Sequence, residues 1–203
     1  ERRMFPMLFA SGLGNIGADR LLDFIVEFLP AASERAPVEA QPTAGDGEPP
    51  VRKVADSAPA SLFVFKTLSD PFAGRITYFK VFSGVIKNDA TLQNFTRNMT
   101  EKFAHLSIMQ GKTAVPVNEL RAGDIGAVAK LKETLTGDTL GDRAASIQYG
   151  QVKLAEPAIT FAIEPKTRAD EDKLSNGIHK LMEEDSMLRF YRDEQTKEFL
   201  IAG

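Results

Sequence analysis

The sequence predicts a mainly β protein with an α+β part: a closed antiparallel β-barrel, followed by a unit of one strand, one helix and two strands. The first observation behind this prediction is a series of short apolar runs over residues 61–142, separated by tight turns of Gly and Asp. The second is a change of hydrophobic period after residue 150, where helical spacing replaces strand alternation. A chain of 203 residues, 43% of them hydrophobic, has enough apolar material for one or two domains.

The first sixty residues predict one strand, one helix and a long connection. Met7-Leu8-Phe9 is a short strand candidate, and Pro30 ends the helix that follows it. The apolar face of that helix is formed by Leu21, Leu22, Ile25, Val26 and Leu29. Residues 31–60 are rich in Pro, Ala, Gly, Glu and Ser, and their five prolines oppose regular backbone hydrogen bonding. They therefore predict a mobile connection.

The strand-rich segment has turns at regular intervals. The predicted strands are 61–67, 76–82, 91–96, 102–109 and 125–131. Turns are predicted at 87–89, 122–124 and 137–138, because Gly, Asn and Asp tolerate the dihedral angles that close strand ends. Many short strands at such intervals are typical of a barrel or a sandwich.

The last fifty residues predict a strand at 158–163, a helix, and two strands at 188–192 and 197–202 joined by a hairpin. Thr167 and Asp170 stand in a capping-box relation and begin the helix. Its buried stripe is predicted as Leu174, Ile178, Leu181 and Met182. The acidic residues between 170 and 184 are expected to face water. This element order is that of an incomplete ferredoxin-like β-α-β-β unit. One helix would leave part of the sheet bare, so this part is expected to be the least ordered, or completed by a neighbouring chain.

Composition excludes several kinds of site. A net charge of −3 gives no overall basic surface, so any contact with nucleic acid must come from local patches. The chain has no Cys, which excludes disulfides and thiolate metal sites and fits a cytoplasmic location. His105 and His179 are the only histidines and have no partner at ligand spacing, so no metal site is predicted. No apolar run approaches the roughly 20 residues that span a bilayer.

Two glycine-containing loops imitate nucleotide-binding motifs. Residues 12–17 satisfy the Gly-x-Gly-x-x-Gly pattern, but the position for the acidic residue about 20 residues further on lies in the Pro-rich segment. Gly111-Lys112-Thr113 lacks the earlier glycine of a phosphate-binding loop, because that position is Leu106. The second loop is therefore predicted to be a turn between two strands, and the chain is predicted to have no phosphate cradle.

Five motifs in the strand-rich segment share the order and spacing of a known family. They are Phe65-Lys66-Thr67, Asp70-Pro71-Phe72-Ala73-Gly74-Arg75-Ile76, Val81-Phe82-Ser83-Gly84-Val85, Arg121-Ala122-Gly123-Asp124-Ile125 and Thr136-Gly137-Asp138-Thr139-Leu140. Together they closely resemble the second domain of translational GTPases, above all elongation factor G. The run from Ile163 to Asp170 and the triplet Glu183-Glu184-Asp185 resemble the third domain of that family.

The resemblance implies a fragment of a translation factor. Residues 1–30 would be the C-terminal tail of the GTPase domain, 31–60 a Pro/Ala-rich linker, 61–149 the translation-factor β-barrel (domain II) and 150–203 a partial ferredoxin-like domain III. For the intact factor the resemblance implies GTP-dependent translocation of tRNA and mRNA, with GTP and Mg bound through the missing GTPase domain. For the fragment it implies no cofactor, no catalytic residue and no GTP hydrolysis.

The family also indicates candidate binding residues. Phe9-Ala10-Ser11-Gly12 resembles the last guanine-recognition loop, so Ser11 and Gly12 would be its remnant, although most relatives have Ser-Ala there. The family's barrel rests on small-subunit ribosomal RNA, so the ribosome is the expected partner, and neither DNA nor a membrane is expected. Residues 87–112 hold four cations against two anions, and those cations are the RNA-facing candidates. They are Lys87, Arg97, Lys102 and Lys112.

Three alternatives stay open on the sequence. A tetracycline ribosomal-protection paralogue shares the superfamily, although the Glu164 to Asp170 run resembles elongation factor G more closely. A stand-alone β-barrel could bind another ligand or protein. A dinucleotide-dependent enzyme could be built on the Gly12 to Gly17 loop.

Overall fold

The computed structural model describes residues 4–41, 50–70, 74–152, 154–167 and 170–203. Three segments of the sequence predictions lie outside the described residues: part of the Pro-rich connection at 42–49, the tip 71–73 of the second motif, and Arg168-Ala169 of the third-domain motif. The chain divides into two compact units, residues 1–35 and residues 36–203. No helix in the described ranges is long and apolar enough to cross a membrane.

The first unit contains the predicted helix, α1 (Ala18–Phe28), which ends at Leu29 just before Pro30. Its predicted apolar residues are all exposed. Gly17 precedes α1 with φ 78°, and a Cβ there would lie 2.6 Å from the carbonyl oxygen of Phe9, so only glycine fits. The prediction of a strand at Met7-Leu8-Phe9 is wrong. A strand needs a partner for its backbone groups, and no described segment pairs with these residues.

The described residues of the predicted connection that follow Arg35 pair with each other and bond to residues 145–149. A 3₁₀ turn spans Ala32–Glu34, and strand β1 (Val38–Glu39) pairs antiparallel with β2 (Val51–Arg52). The N–H of Gln41 donates to the carbonyl of Gln148 at 2.6 Å, and Arg52 donates to the carbonyl of Ala145 at 3.1 Å. Val38 and Ala40 pack with Ile147 and Tyr149 in a small apolar cluster.

Residues 61–141, where described, form ten strands: β3 (Ser61–Asp70), β4 (Gly74–Ser83), β5 (Val85–Lys87), β6 (Ala90–Asn94), β7 (Met99–Phe103), β8 (Leu106–Gln110), β9 (Thr113–Val117), β10 (Glu119–Arg121), β11 (Ile125–Ala129) and β12 (Thr139–Gly141). Eight of them form one antiparallel sheet in the order β7-β6-β12-β3-β4-β11-β8-β9. The other two, β5 and β10, form a separate two-stranded ribbon. Gly111 lies at the turn between β8 and β9 with φ 60°, so the imitation phosphate loop is a hairpin turn, as predicted.

One apolar core is formed by residues of the eight-stranded sheet and of the ribbon. It includes Leu62, Phe79, Phe103, Leu106 and Leu120, which come from both ends of the strand order and from the ribbon. Closure of the barrel is not confirmed, because the edge strands β7 and β9 share no hydrogen-bonded ladder in the described ranges.

The turn after β5 spans the gap between these edges. Asn88 donates through its side chain to the carbonyl of Val117 at 3.0 Å and accepts from the N–H of Leu106 at 2.7 Å. The N–H of Asp89 donates to the carbonyl of Phe103 at 2.8 Å. This turn therefore connects the end of β7 with β8 and β9.

The C-terminal part has the predicted order of elements. Strand β13 (Thr160–Ile163) is followed by helix α2 (Glu171–Glu184), β14 (Arg189–Arg192) and β15 (Phe199–Ala202), and the sheet order is β13-β15-β14. The Thr167 hydroxyl donates to the Asp170 carboxylate at 2.6 Å, so the two residues do meet at the helix start, but through their side chains. Ile178 of α2 is buried, whereas Leu181 is 50% exposed, so the predicted stripe is wrong at Leu181.

Candidate functional site

A groove of about 630 Å³ lies where the β3–β4 hairpin, the segment after β11 and the end of α2 meet. Its charged lining residues are Asp70, Arg75, Lys130, Lys132, Lys180 and Glu183. Four of these are basic and two are acidic, in a chain whose overall charge is negative. The groove is therefore a local basic site of the kind that the composition requires for any contact with phosphate.

Arg75 and Glu183 join the two sides of the groove. The Arg75 Nε donates to Glu183 Oε2 at 3.1 Å, and its Nη2 donates to Glu183 Oε1. Its Nη1 donates to the carbonyl of Lys132 at 3.0 Å. A guanidinium and a carboxylate that meet in this two-point geometry form the most directional type of ion pair. Arg75 thus holds both the helix and the loop after β11.

The last turn of α2 is capped by strand β3. Final carbonyls of a helix have no partner within the helix, and they carry its partial negative charge. Here the carbonyl of Glu184 accepts from Lys66 Nζ at 2.5 Å, and the carbonyl of Glu183 accepts from the Thr67 hydroxyl. The Glu184 carboxylate accepts from the N–H of Ser69 at 2.6 Å. The sequence prediction that these acidic residues face water is wrong for Glu183 and Glu184, because a neighbouring strand offers them cations and N–H groups.

Two buried carboxylates hold the loop between β11 and β12. Glu101, only 4% exposed, accepts hydrogen bonds from the N–H groups of Lys132, Glu133 and Thr134. At the other end of the loop Asp138, 2% exposed, accepts from Leu135 N at 3.0 Å. These bonds fix the loop that carries Lys130 and Lys132.

The four RNA-facing residues predicted from the sequence have different environments. Arg97 donates to the buried Asp138 carboxylate at 2.8 Å, and Lys102 pairs with Asp89 at 2.9 Å. The hydrogen bond and charge of Lys102 lower the pKa of Asp89. Lys87 is exposed at the end of β5, and Lys112 is exposed at the β8–β9 turn. The four residues lie on separate turns and strands and are not brought into one cluster with the groove.

The charge count along the sequence missed all three groove lysines, although two of them, Lys130 and Lys132, had a signal. Leu131 is 4% exposed and belongs to the core, whereas Lys130 and Lys132 on either side of it are exposed. Lys180 comes from α2, and no sequence pattern connects a helix residue with that loop. Arg75 belongs to a family motif quoted above, but its partner Glu183 is 108 residues away.

The loop at Ser11 and Gly12, which resembles the guanine-recognition loop, is held by hydrogen bonds among its own residues. The N–H of Ser11 donates to the carbonyl of Ile16 at 2.9 Å, and the Ser11 hydroxyl accepts from the N–H of Gly14 at 3.2 Å. A Cβ at Gly12 would meet nothing within 4 Å. Of the two residues predicted for guanine contact, Ser11 therefore uses its own N–H inside the loop, and Gly12 is open. In the described ranges no three potential metal-ligating side chains lie together.

Comparisons with known proteins agree with the motifs. Residues 59–143 match a family model described as elongation factor G domain 2, and residues 154–203 match one described as elongation factor G, domain III. The elongation factors G of Mycoplasma pneumoniae and Mycoplasma genitalium are each 38% identical over 201 residues, which cover 99% of this chain. The chain spans 29% of the length of these relatives.

A solved structure shows the same fold. A crystal structure of a protein from Thermus thermophilus matches 96% of this chain and 26% of its own, with a TM-score of 0.75 and 31% identity. Both family models and both sequence relatives carry the name of elongation factor G, and the two models match residues 59–143 and 154–203. The chain therefore belongs to the elongation factor G family of translation elongation factors.

Proposed function

We propose that this chain is the ribosome-docking, non-catalytic part of a GTPase that drives translocation of tRNA and mRNA. The observation that carries this proposal is the basic groove formed by Arg75, Lys130, Lys132 and Lys180. Its partner would be the phosphate backbone of small-subunit ribosomal RNA. Contacts with phosphate position a protein on RNA without reading its sequence, as a factor that binds every ribosome alike requires.

Two features of the groove favour a phosphate ligand. Lys130, Lys132 and Lys180 are exposed and make no ion pair within the described ranges, so their charge is available. The loop that carries two of them is held by the buried Glu101. A fixed spacing of cations lowers the entropy that is lost when they bind one ligand.

The cations predicted from the sequence have a secondary role in this proposal. Lys87 and Lys112 are exposed and free to contact RNA, whereas Arg97 and Lys102 are engaged with Asp138 and Asp89. We expect Lys87 and Lys112 to add a sequence-independent contribution, and Arg97 to act through the loop it supports.

Several further points belong to the same proposal. GTP and Mg would be bound by the GTPase domain of the intact factor, with Gly12 at the edge of the guanine site. The strands of residues 61–149 would act as a closed barrel in which the Asn88 turn replaces the missing ladder between β7 and β9. The factor would work in the cytoplasm, where ribosomes translate.

Binding of this chain to isolated small ribosomal subunits tests the proposal. The double variant Lys130→Glu with Lys132→Glu should weaken binding at least tenfold, and its dependence on salt should become shallower by about one unit per lysine. The matched control is Lys53→Glu with Lys166→Glu, an equal change of charge at exposed positions outside the groove. Equal weakening by the two pairs would contradict docking through the groove.

A further inference from the structure

The contacts that hold the end of α2 against β3 and β4 are polar. Among the described residues, neither apolar cluster of the second unit contains a residue after Tyr149. The helix end is held instead by the Arg75–Glu183 pair and by hydrogen bonds from Lys66, Thr67 and Ser69. We call these contacts the α2 latch. Because charge and hydrogen bonds hold it, a competing anion can weaken it, which would not be true of a shared apolar core.

Arg75 belongs both to this latch and to the groove. Its guanidinium makes three hydrogen bonds, two to the Glu183 carboxylate and one to the carbonyl of Lys132. The Glu183 side chain is 34% exposed and also lines the groove. A phosphate presents the same pair of oxygen acceptors to a guanidinium as a carboxylate does. Phosphate and Glu183 are therefore alternative partners of one side chain.

We propose that RNA phosphate entering the groove displaces Glu183 from Arg75 and thereby loosens helix α2, with strands β13 to β15, from the barrel. This inference rests on the proposed docking function and adds its regulation. Lys130, Lys132 and Lys180 attract the phosphate, and once it lies beside Arg75 it repels the Glu183 carboxylate. Loss of the two-point ion pair removes the strongest charged contact of the latch. Docking and the orientation of α2 are then linked through one arginine.

Thermodynamic linkage makes the effect reciprocal. If phosphate weakens the latch, then weakening the latch must strengthen phosphate binding by the same factor. Glu183→Gln removes the competing charge while preserving the size of the side chain. We expect this variant to bind about two- to fivefold more tightly, the range that a partly exposed ion pair contributes. Glu184→Gln is the matched control: it makes the same charge change one residue away, and its amide oxygen can still accept from Ser69 N, so the Arg75–Glu183 pair and the hydrogen bonds of the latch are preserved.

The experiment uses the full chain with two reporter sites. The chain has no cysteine, so Gln110→Cys on the barrel and Gln195→Cys in the β14–β15 hairpin give two unique labels for spin–spin distance measurement. Inorganic polyphosphate and isolated small ribosomal subunits are the probes. With either probe, the distance distribution should move or broaden in the parent chain. In the Glu183→Gln variant it should be shifted before any probe is added, and in Glu184→Gln much less.

The outcomes separate the two proposals. If the probes bind and the distance distribution is unchanged, or if Glu183→Gln binds no more tightly than Glu184→Gln, the latch inference is wrong and groove docking stands. If neither probe binds the parent chain, the proposed function itself fails. Unfolding midpoints of both variants check that each is folded, and Arg75→Lys provides a second route, because it preserves charge but loses the two-point geometry. That variant should show the shifted distribution without probe; an unshifted distribution contradicts the latch.

Discussion

Glu101 Oε1 accepts two hydrogen bonds from Thr134, one from its N–H at 3.2 Å and one from its hydroxyl at 3.1 Å. The same carboxylate accepts from the N–H groups of Lys132 and Glu133. A buried negative charge surrounded by N–H donors is stabilised without a cation. One side chain of β7 thus determines the conformation of the loop that carries two groove lysines.

Replacement of Glu101 by Gln should destabilise the eight-stranded sheet. The amide cannot accept all of the bonds that the carboxylate accepts, and it turns an NH₂ group toward backbone donors. We expect a loss of about 1.5–3 kcal/mol in the free energy of unfolding, measured by urea denaturation. Glu133→Gln, at an exposed neighbouring position, is the control and should change stability by less than about 0.5 kcal/mol. Equal effects of the two variants would mean that Glu101 does not support the loop.

Asn88→Ala should weaken the contact between the turn after β5 and strands β8 and β9. The side chain of Asn88 bonds both to Val117 O and to Leu106 N, so its removal leaves a donor and an acceptor unsatisfied. A cost of about 1–3 kcal/mol is expected. Hydrogen exchange should accelerate at Leu106 and spare the β3–β4 pairing. The exposed Gln110→Ala serves as control, and unaltered exchange at Leu106 in Asn88→Ala would contradict the bridging role.

Stability should fall at alkaline pH through Tyr149. Burial raises the pKa of its hydroxyl. The Ser83 hydroxyl donates its proton to Pro59 O, so in its contact with Ser61 it accepts. The Ser61 hydroxyl has then used its own proton, and it accepts from the Tyr149 hydroxyl. The folded state holds this proton more tightly than the unfolded chain, whose tyrosine has a pKa of about 10. The stability that the Tyr149 proton contributes is complete below the unfolded-state pKa and is lost as pH rises through the folded-state pKa.

Tyr149→Phe should remove that alkaline loss. Urea denaturation between neutral pH and the highest pH at which unfolding remains reversible gives the slope of stability against pH. The slope should be flatter in Tyr149→Phe than in the parent chain and unchanged in the control Tyr191→Phe, whose ring is 46% exposed. A parent-like slope in Tyr149→Phe would assign the alkaline loss to other groups.

Gly12 and Gly17 of the first unit should respond differently to replacement by alanine. Gly17→Ala forces a Cβ to 2.6 Å from Phe9 O at φ 78°, whereas Gly12→Ala meets open space. Hydrogen exchange in the first turn of α1 should therefore accelerate in Gly17→Ala and stay at the parent rate in Gly12→Ala. The same exchange rate in both variants would show that the turn before α1 does not need glycine.

This chain alone should not hydrolyse GTP above a buffer blank, because the sequence contains no phosphate-binding loop. Phosphate release from GTP, measured with and without small ribosomal subunits, is the assay. Robust turnover by the purified chain would overturn the division of labour proposed for the factor.

The long strands and the second helix could be predicted because their signals are local. Turn residues separate the apolar runs of β3, β4 and β11, and α2 has helical spacing around the buried Ile178. The predicted hairpin at 193–196 also forms, because Asp193 accepts hydrogen bonds from the N–H groups of Gln195 and Thr196. The strand at Met7-Leu8-Phe9 failed, since a run of apolar residues does not show whether a pairing partner exists.

The candidate site was less predictable than the fold. Charge counting selected Arg97 and Lys102, but both are occupied by carboxylates, one of them buried. Lys130 and Lys132 could have been found from the alternation around Leu131. Lys180 could not, because the groove joins segments about fifty residues apart in the chain.

The sequence by itself determined the family, both helices, the element order after residue 158 and the positions of the turns, because these depend on motifs, hydrophobic period and residues that favour particular dihedral angles. Only the tertiary structure decided which charges are free and which are paired. Glu183 and Glu184 resemble solvent-facing acids along the chain, yet β3 and Arg75 bind them from more than a hundred residues away. The availability of a charge depends on what surrounds it in space, and that environment is created only when distant segments pack together.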